Sequence, residues 1–251
     1  MVRELKEVEG IIFKRQKYHD ADLLAKIITE KNGIFTMLAH GALKPKSKLG
    51  AALLNFSYGT YVVYFSGHGL STLRTYKNVK QFDGLYDDLI KNAYASFILD
   101  LVDHAFMEYQ NLGKYYDLTK FALQKIASGT DPEMITQIVQ MQLLAAFGVE
   151  PELRHCVICG QDQGEFDYSI KNGGILCKKH FYTDPGRMHL KPKEVAVLRT
   201  IFLLPFERLG SIKINSSTKK ATRKAIDRIY QDTIDINLKT KKFLDELNLM
   251  D

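Results

Sequence analysis

The stretch Ala25-Lys26-Ile27-Ile28-Thr29-Glu30-Lys31-Asn32-Gly33-Ile34-Phe35-Thr36-Met37-Leu38-Ala39 reads as two β-strands on either side of a tight turn. Ile27, Ile28 and Thr29, then Ile34, Phe35 and Thr36, are β-branched or aromatic and favour a pleated surface. Lys31-Asn32-Gly33 is turn chemistry, because Asn and Gly both tolerate the positive φ a short hairpin requires. Upstream, Val8-Glu9-Gly10-Ile11-Ile12-Phe13 is a further strand. Downstream, Thr60-Tyr61-Val62-Val63-Tyr64-Phe65 is another, closed by Ser66-Gly67-His68-Gly69. Leu70 to Val79 alternates in character and supplies a fifth. Five short strands in the first 80 residues fit a small closed or partly open barrel.

Beyond residue 83 the period changes. Leu85, Leu89, Ala93, Phe97, Leu101 and Ala105 recur at i, i+4 steps, which puts an apolar stripe on a helix. Tyr115 to Ala127 is a second amphipathic stretch. Asp131 reads as an N-cap with Pro132 in the first turn, opening a helix from Met134 to Phe147 that Gly148 closes. Residues 188–251 carry two or three further helices: one opened by Lys191-Pro192-Lys193-Glu194, one over Thr218 to Ile234, and a short one over Lys241 to Leu249. Strands followed by segregated helices define an α+β class. The expected segments are 1–80 (barrel), 81–150 (first helical part), 151–187 (an inserted metal knuckle) and 188–251 (C-terminal helical part).

The chain has 251 residues, 45% hydrophobic and 25% charged, which excludes disordered, collagenous and disulfide-scaffold classes. No run approaches the ~18 apolar residues of a membrane span, and the N-terminus lacks a signal-peptide core. A cytoplasmic protein with no membrane partner is expected. The net charge is +6, but it is unevenly placed. Residues 1–80 hold 13 Lys+Arg against 6 Asp+Glu, residues 81–150 hold 4 against 10, and residues 188–251 hold 13 against 8. The basic excess sits at the two ends, and an anionic partner is expected there.

All three cysteines and one histidine form two pairs, Cys156-Val157-Ile158-Cys159 and Cys177-Lys178-Lys179-His180, with 17 residues between them. Paired knuckles of this spacing supply four soft or borderline ligands for tetrahedral Zn²⁺. Gly160 lets the chain curl after Cys159. Phe166 to Ile170 and Gly173 to Leu176 are short enough for a hairpin. Four ligands leave no open position for a reacting water, so one structural Zn²⁺ per chain is expected.

The second signal is basic. Lys44, Lys46 and Lys48 alternate along a loop that Pro45 keeps extended. Lys14, Arg15 and Lys17 end the first strand, and Arg74 and Lys77 lie on the last one. Barrel loops bring such residues to one face, where they follow a phosphate backbone. Tyr58, Tyr61, Tyr64, Phe65 and Tyr76 are either base-stacking platforms or barrel core. Lys219, Lys220, Arg223 and Lys224 mark either a second DNA surface or a solvated helix face.

Tyr18-His19-Asp20-Ala21-Asp22-Leu23-Leu24-Ala25-Lys26-Ile27-Ile28-Thr29-Glu30-Lys31-Asn32-Gly33 resembles the opening motif of the DNA repair protein RecO family. So does Ala39-His40-Gly41-Ala42-Leu43-Lys44-Pro45-Lys46-Ser47-Lys48-Leu49, and the order of barrel, acidic helices and Cys knuckle is similar along the whole chain. The resemblance implies an N-terminal OB-fold, a helical domain and an inserted zinc-ribbon-like element. It implies a bacterial recombination mediator that binds single- and double-stranded DNA and anneals complementary strands. Such a mediator helps load the RecA recombinase on strands covered by single-strand-binding protein. The partners it implies are RecR and the acidic C-terminal tail of the single-strand-binding protein. The basic loop maps to Lys44, Lys46 and Lys48, and the zinc ligands to Cys156, Cys159, Cys177 and His180.

Signals for catalysis are sparse. His19-Asp20-Ala21-Asp22 offers carboxylates for a hydrolytic metal, but a capped turn before a strand explains it more simply. No phosphate-binding Gly-rich loop with Lys-Ser/Thr and no Gly-x-Ser-x-Gly occurs. Strand annealing needs charge neutralisation rather than covalent chemistry, so no enzymatic activity is expected. The alternative function is an RNA-binding or ribosome-associated OB/zinc protein.

Overall fold

The structure is a computed structural model and describes residues 4–208 and 214–248. It comprises two compact units: Met1–Pro132 with Lys239–Asp251, and Glu133–Leu238. This grouping runs across the segment boundaries expected from the sequence, because the first helices and the last one fall in the unit that contains the barrel.

Five strands, β1 (Glu4–Tyr18), β2 (Asp22–Thr29), β3 (Ile34–Ala39), β4 (Ser57–Phe65) and β5 (Ser71–Gln81), form the barrel. They pair in the order β1-β2-β3-β5-β4 and β4 returns to β1, closing the ring. The β3–β5 seam is parallel and only two residue pairs long. β1 is far longer than the run Val8–Phe13 that marks it in the sequence. Its first part pairs with β4 and its second part with β2, and Gly10 and Ile11 pair on both sides. At Gly10 a Cβ would fall 2.7 Å from the Ile28 carbonyl oxygen, so this shared position has no room for a side chain. Polar Lys14 to Tyr18 carry no β-branched signal; they are extended because β2 supplies ladder partners out to Asp22.

The barrel interior is filled by Val8, Ile12, Ile27, Phe35, Tyr61 and Val63 among others. On the opposite face of the strands, Ile11, Ile28 and Ile34 form a cross-strand row that is also fully buried. A sheet buried on both faces on one side explains why β2 reads as a continuous apolar run.

In the same unit, α1 (Leu49–Ala52) is a single turn, followed by α2 (Leu89–Ala105) and α3 (Lys114–Ala127). Asp88 caps α2 by accepting from Lys91 N at 3.0 Å, so the helix starts after Leu85, which is buried in the preceding turn. Lys26 reaches Asp103 of α2 at 2.6 Å and Lys120 of α3 reaches Glu9 at 2.8 Å. The last helix, α7 (Lys239–Asn248), donates Thr240 Oγ1 to Asp100 at 2.6 Å. Leu249, which the sequence reading includes in that helix, lies outside the described residues.

The second unit takes in α4 (Pro132–Leu143) from Glu133 on, and α4 ends through a 3₁₀ turn at Gly148, whose φ of +77° suits glycine. A two-stranded hairpin follows, β6 (Phe166–Ser169) and β7 (Gly174–Cys177), then α5 (Pro192–Leu203) and α6 (Ser216–Thr233). α5 opens as its sequence predicts: Lys191 N donates to Glu194 Oε2 at 2.8 Å. α4 and α6 share a buried polar seam, with Thr222 Oγ1 donating to Gln137 at 2.6 Å and Tyr230 OH to the Gln140 carbonyl at 2.8 Å. Among the described residues, no helix is long and apolar enough to cross a membrane.

Candidate nucleic-acid interface and metal centre

Strand register gathers the basic residues. Tyr18 pairs with Asp22 and Leu23 with Ala39, so the end of β1 and the start of the 40–48 loop share one end of the barrel. There the loop is tied to the β1–β2 turn, with Leu43 N donating to the Ala21 carbonyl at 2.8 Å. Asp22 takes both of its neighbours: Oδ1 accepts from Gly41 N at 2.7 Å and Oδ2 meets His40 Nδ1 at 2.9 Å. Ala42 plugs into the barrel interior. The far end of the loop is anchored by α1, which packs on β5 and whose Ala52 carbonyl accepts from Tyr61 OH at 2.9 Å. Between these anchors Lys44, Lys46 and Lys48 are all exposed.

Around the loop, Arg15 and Lys17 pair with Ala25 and Leu23 and so share the interior-facing side of the sheet, beyond the filled part of the barrel. Lys14 faces the other way, in a row with Lys26 and Thr36, where it lines a hollow of about 270 Å³ with Arg15, Gln16, Leu24 and Glu108. Arg74 is the extra residue of a bulge in β5, two residues past Thr72, which pairs with Leu38 near the end of β3. Its backbone therefore stands level with the end of β3, where the same loop begins. Lys77 differs from the other seven, because it is 2.5 Å from Glu7 on the barrel wall. Lys14, Arg15, Lys17, Lys44, Lys46, Lys48 and Arg74 make no ion pair among the described residues.

Of the two readings open for the aromatics, the structure favours barrel core for most of them. Tyr61 is fully buried, Tyr58 stacks on Phe82 at 4.4 Å, and Phe65 packs edge-on against Phe35 at 5.2 Å. Tyr76 is partly buried against the core. Of that set only Tyr64 is exposed. Period-2 alternation carries the reason: Tyr61, Val63 and Phe65 point inward together. Tyr18, next to Lys17 at the end of β1, is also exposed.

His19-Asp20-Ala21-Asp22 is a turn into β2 and not a metal site. Both Asp22 oxygens are committed to the loop, and the Gly41 N–H, followed by the His40 ring, holds its carboxyl below the usual range.

The second unit holds the other cluster. Cys156 Sγ, Cys159 Sγ, Cys177 Sγ and His180 Nδ1 all lie within 4.8 Å of one another. Cys159 and Cys177 sulfurs are 3.8 Å apart, and His180 Nδ1 is 3.3 Å from Cys177 and 3.6 Å from Cys156. A tetrahedral ion about 2.3 Å from sulfur and about 2.05 Å from nitrogen sets sulfurs about 3.8 Å apart and sulfur from nitrogen about 3.5 Å. The four residues fit a metal ion. Burial pushes the Cys156 thiol up, but N–H groups of Cys177, Ile158 and Cys159 and the His180 ring outweigh it and bring it to about 6. Burial, then the neighbouring sulfurs of Cys156 and Cys159, push the Cys177 thiol up. The knuckle curls through Gly160, at φ +74°. Gly174 is obligatory in another way, since a Cβ there would lie 2.4 Å from the Glu152 carbonyl oxygen. His155 lies by Glu152 and His189 Nε2 by the Pro185 carbonyl, so neither belongs to the set.

In α6, Lys219 and Arg223 are drawn to Glu133 of α4, at 3.3 and 3.2 Å, while Lys220 and Lys224 are exposed. Half of that basic run therefore holds helices together.

Two family models match the chain, "Recombination protein O N terminal" over residues 1–82 and "Recombination protein O C terminal" over residues 86–242. The chain is 73% identical to the DNA repair protein RecO of Lactobacillus helveticus, over 99% of this chain and 100% of that one. It is 52% identical to that of Lactobacillus delbrueckii subsp. bulgaricus, over 98% and 99%, and 38% identical to that of Latilactobacillus sakei subsp. sakei, over 98% and 90%. With barrel, helices and Cys/His cluster in the order the sequence led us to expect, the chain belongs to the RecO family of DNA repair proteins.

Proposed function

We propose that this protein is a recombination mediator that binds single- and double-stranded DNA, anneals complementary strands and helps load the RecA recombinase on strands covered by single-strand-binding protein. The observation that carries the reading is the cluster of unpaired cations at one end of the barrel. Among the described residues, Arg15, Lys17, Lys44, Lys46, Lys48 and Arg74 compensate no carboxylate, which supports their charge being available to phosphates. Lys14 adds a positive charge on the opposite face of β1, and Lys77, shared with Glu7, is the weakest member. Neutralising two backbones while leaving base edges accessible lowers the repulsion between complementary strands. No group needs to form or break a bond, so the protein acts without catalysis.

The partners are DNA, RecR and the C-terminal tail of the single-strand-binding protein, in a bacterial cytoplasm. Functionally, residues 1–80 are the DNA-binding OB-fold, 81–150 and 188–251 the helical parts, and 151–187 the metal knuckle. Zn²⁺ is the ion that suits three thiolates and an imidazole, and when bound it cross-links the two knuckles and supplies no reaction chemistry. Elemental analysis is expected to give one zinc per chain, and a value well below one removes the metal assignment.

The function is tested by competition between single-stranded DNA and RNA of one sequence at stated salt, with annealing of complementary DNA oligonucleotides as the second readout. DNA preference or parity together with annealing supports the reading. A clear RNA preference, or no annealing, overturns it in favour of an RNA-binding OB/zinc protein.

A further inference from the structure

We propose that Asp22 is a positioning residue that fixes the lysine loop 40–48 in a DNA-binding shape, an inference that rests on the reading of that loop as a DNA contact. The opening motif places two aspartates beside a basic strand, where a negative charge on its own would repel phosphate. Asp22 is held there by geometry. It stands at the first residue of β2, at the barrel end where β3 also finishes, and its two oxygens span the two residues with which the loop begins. Gly41 has a φ of +65°, so its N–H turns back toward β2 in a conformation few other residues adopt. The Leu43–Ala21 hydrogen bond and buried Ala42 complete the anchor, and turns from Lys44 N to the Gly41 carbonyl and from Ser47 N to the Lys44 carbonyl continue it. The three lysines thus project from a folded segment whose ordering is complete before DNA arrives. A loop without the clamp must be ordered on binding, which lowers affinity although no cation is lost.

The charge and the clamp have opposite signs, and this makes the proposal testable. Asp22→Asn keeps both contacts, with its amide oxygen accepting from Gly41 N and its amide NH₂ donating to His40 Nδ1, but removes the charge. Asp22→Ala removes both contacts and the charge. Affinity for a single-stranded oligonucleotide is measured by fluorescence anisotropy across a salt series, far below each variant's melting temperature. Asp22→Asn is expected to bind as well as the natural protein or up to about twofold tighter, and Asp22→Ala about tenfold more weakly with the salt slope unchanged, since every cation remains. Should the alanine variant not fold, Asp22→Ser, which reaches at most one of the two groups, replaces it. In the background of Lys44→Gln, Lys46→Gln and Lys48→Gln, the alanine change is expected to cost nothing further. Tighter binding by both Asp22 variants, or a loss that adds in full to that of the lysines, overturns the proposal. If the triple lysine variant itself binds like the natural protein, the DNA-contact reading of the loop fails, whatever Asp22 does.

Discussion

Two aspartates in this protein do the same kind of work in opposite settings. Asp22 gathers the start of a loop with Gly41 N and His40, at the exposed end of the barrel. Asp167, in β6, gathers the segment that leads from the metal knuckle to α5. It accepts from Tyr168 N and Leu190 N on Oδ1 and from His189 N on Oδ2, with Arg187 Nε 3.0 Å away. Asp167 is 2% exposed. Its carboxylate has exchanged water for three N–H donors and a guanidinium, and removing it leaves the Tyr168 N–H without a partner in a buried site and the guanidinium half-buried without its counter-charge. Asp22 keeps solvent beside it, and what it loses on substitution is loop shape. The same side chain therefore serves stability in one unit and placement in the other, and burial decides which.

The largest effect expected from this contrast is at Asp167. Asp167→Ala is expected to destabilise the protein by about 3–5 kcal/mol, because it breaks a buried pair and leaves Arg187 uncompensated. Chemical denaturation of the metal-loaded protein measures it. A loss below about 1 kcal/mol would mean that the segment 187–190 is held by other contacts and that the two aspartates do not differ. Second in size, Lys44→Gln, Lys46→Gln and Lys48→Gln together are expected to lower affinity for single-stranded DNA by about 10–100-fold at ~0.1 M salt and to cut the salt slope by about 2, with stability unchanged. Third, Arg74→Gln is expected to lower the slope by about 0.7, the share of one phosphate contact, and Lys77→Gln by clearly less because Glu7 already shares its charge. Equal slopes for these two variants would show that the Glu7 pair opens on binding.

Much of this was legible before the structure. The Asn32-Gly33 hairpin, the middle of the i, i+4 stripe (Ala93, Phe97 and Leu101, which the helix buries, unlike Leu89) and the two knuckles carry their information locally, in turn chemistry and period. What stayed hidden was set by pairing across the chain. The length of β1 depends on β2 residues that supply its ladder, so a strand through Lys14, Arg15 and Lys17 has no signal of its own. Tyr61 and Tyr64 look alike in sequence, and their opposite fates follow from which face the β1 and β5 neighbours bury. Lys77 and Arg74 are likewise equivalent until Glu7 is seen beside one of them. Asp22 and Asp167 are the extreme case. Each acts on backbone N–H groups about twenty residues away, and no local pattern reports a partner whose side chain takes no part.

The smallest expected effect concerns acid. The Gly41 N–H, and after it the His40 ring, hold the Asp22 carboxyl below its ordinary value of 3.8. A carboxyl lowered in the folded state contributes stability that is fully present above the unfolded value, and this is lost as the pH falls through the lower folded value. The clamp is therefore expected to be intact from neutral pH down to about 4 and to open only below that, so the Gly41 amide resonance should stay constant through the physiological range. Asp22→Asn should remove the acid step altogether, since its amide has no proton to gain. Following the Gly41 amide by NMR in both proteins separates this opening from general acid unfolding, which both share. A midpoint near neutrality in the natural protein would instead assign the change to an imidazole. Loop placement would then respond to the cell's own pH range, through the His40 ring that faces Asp22.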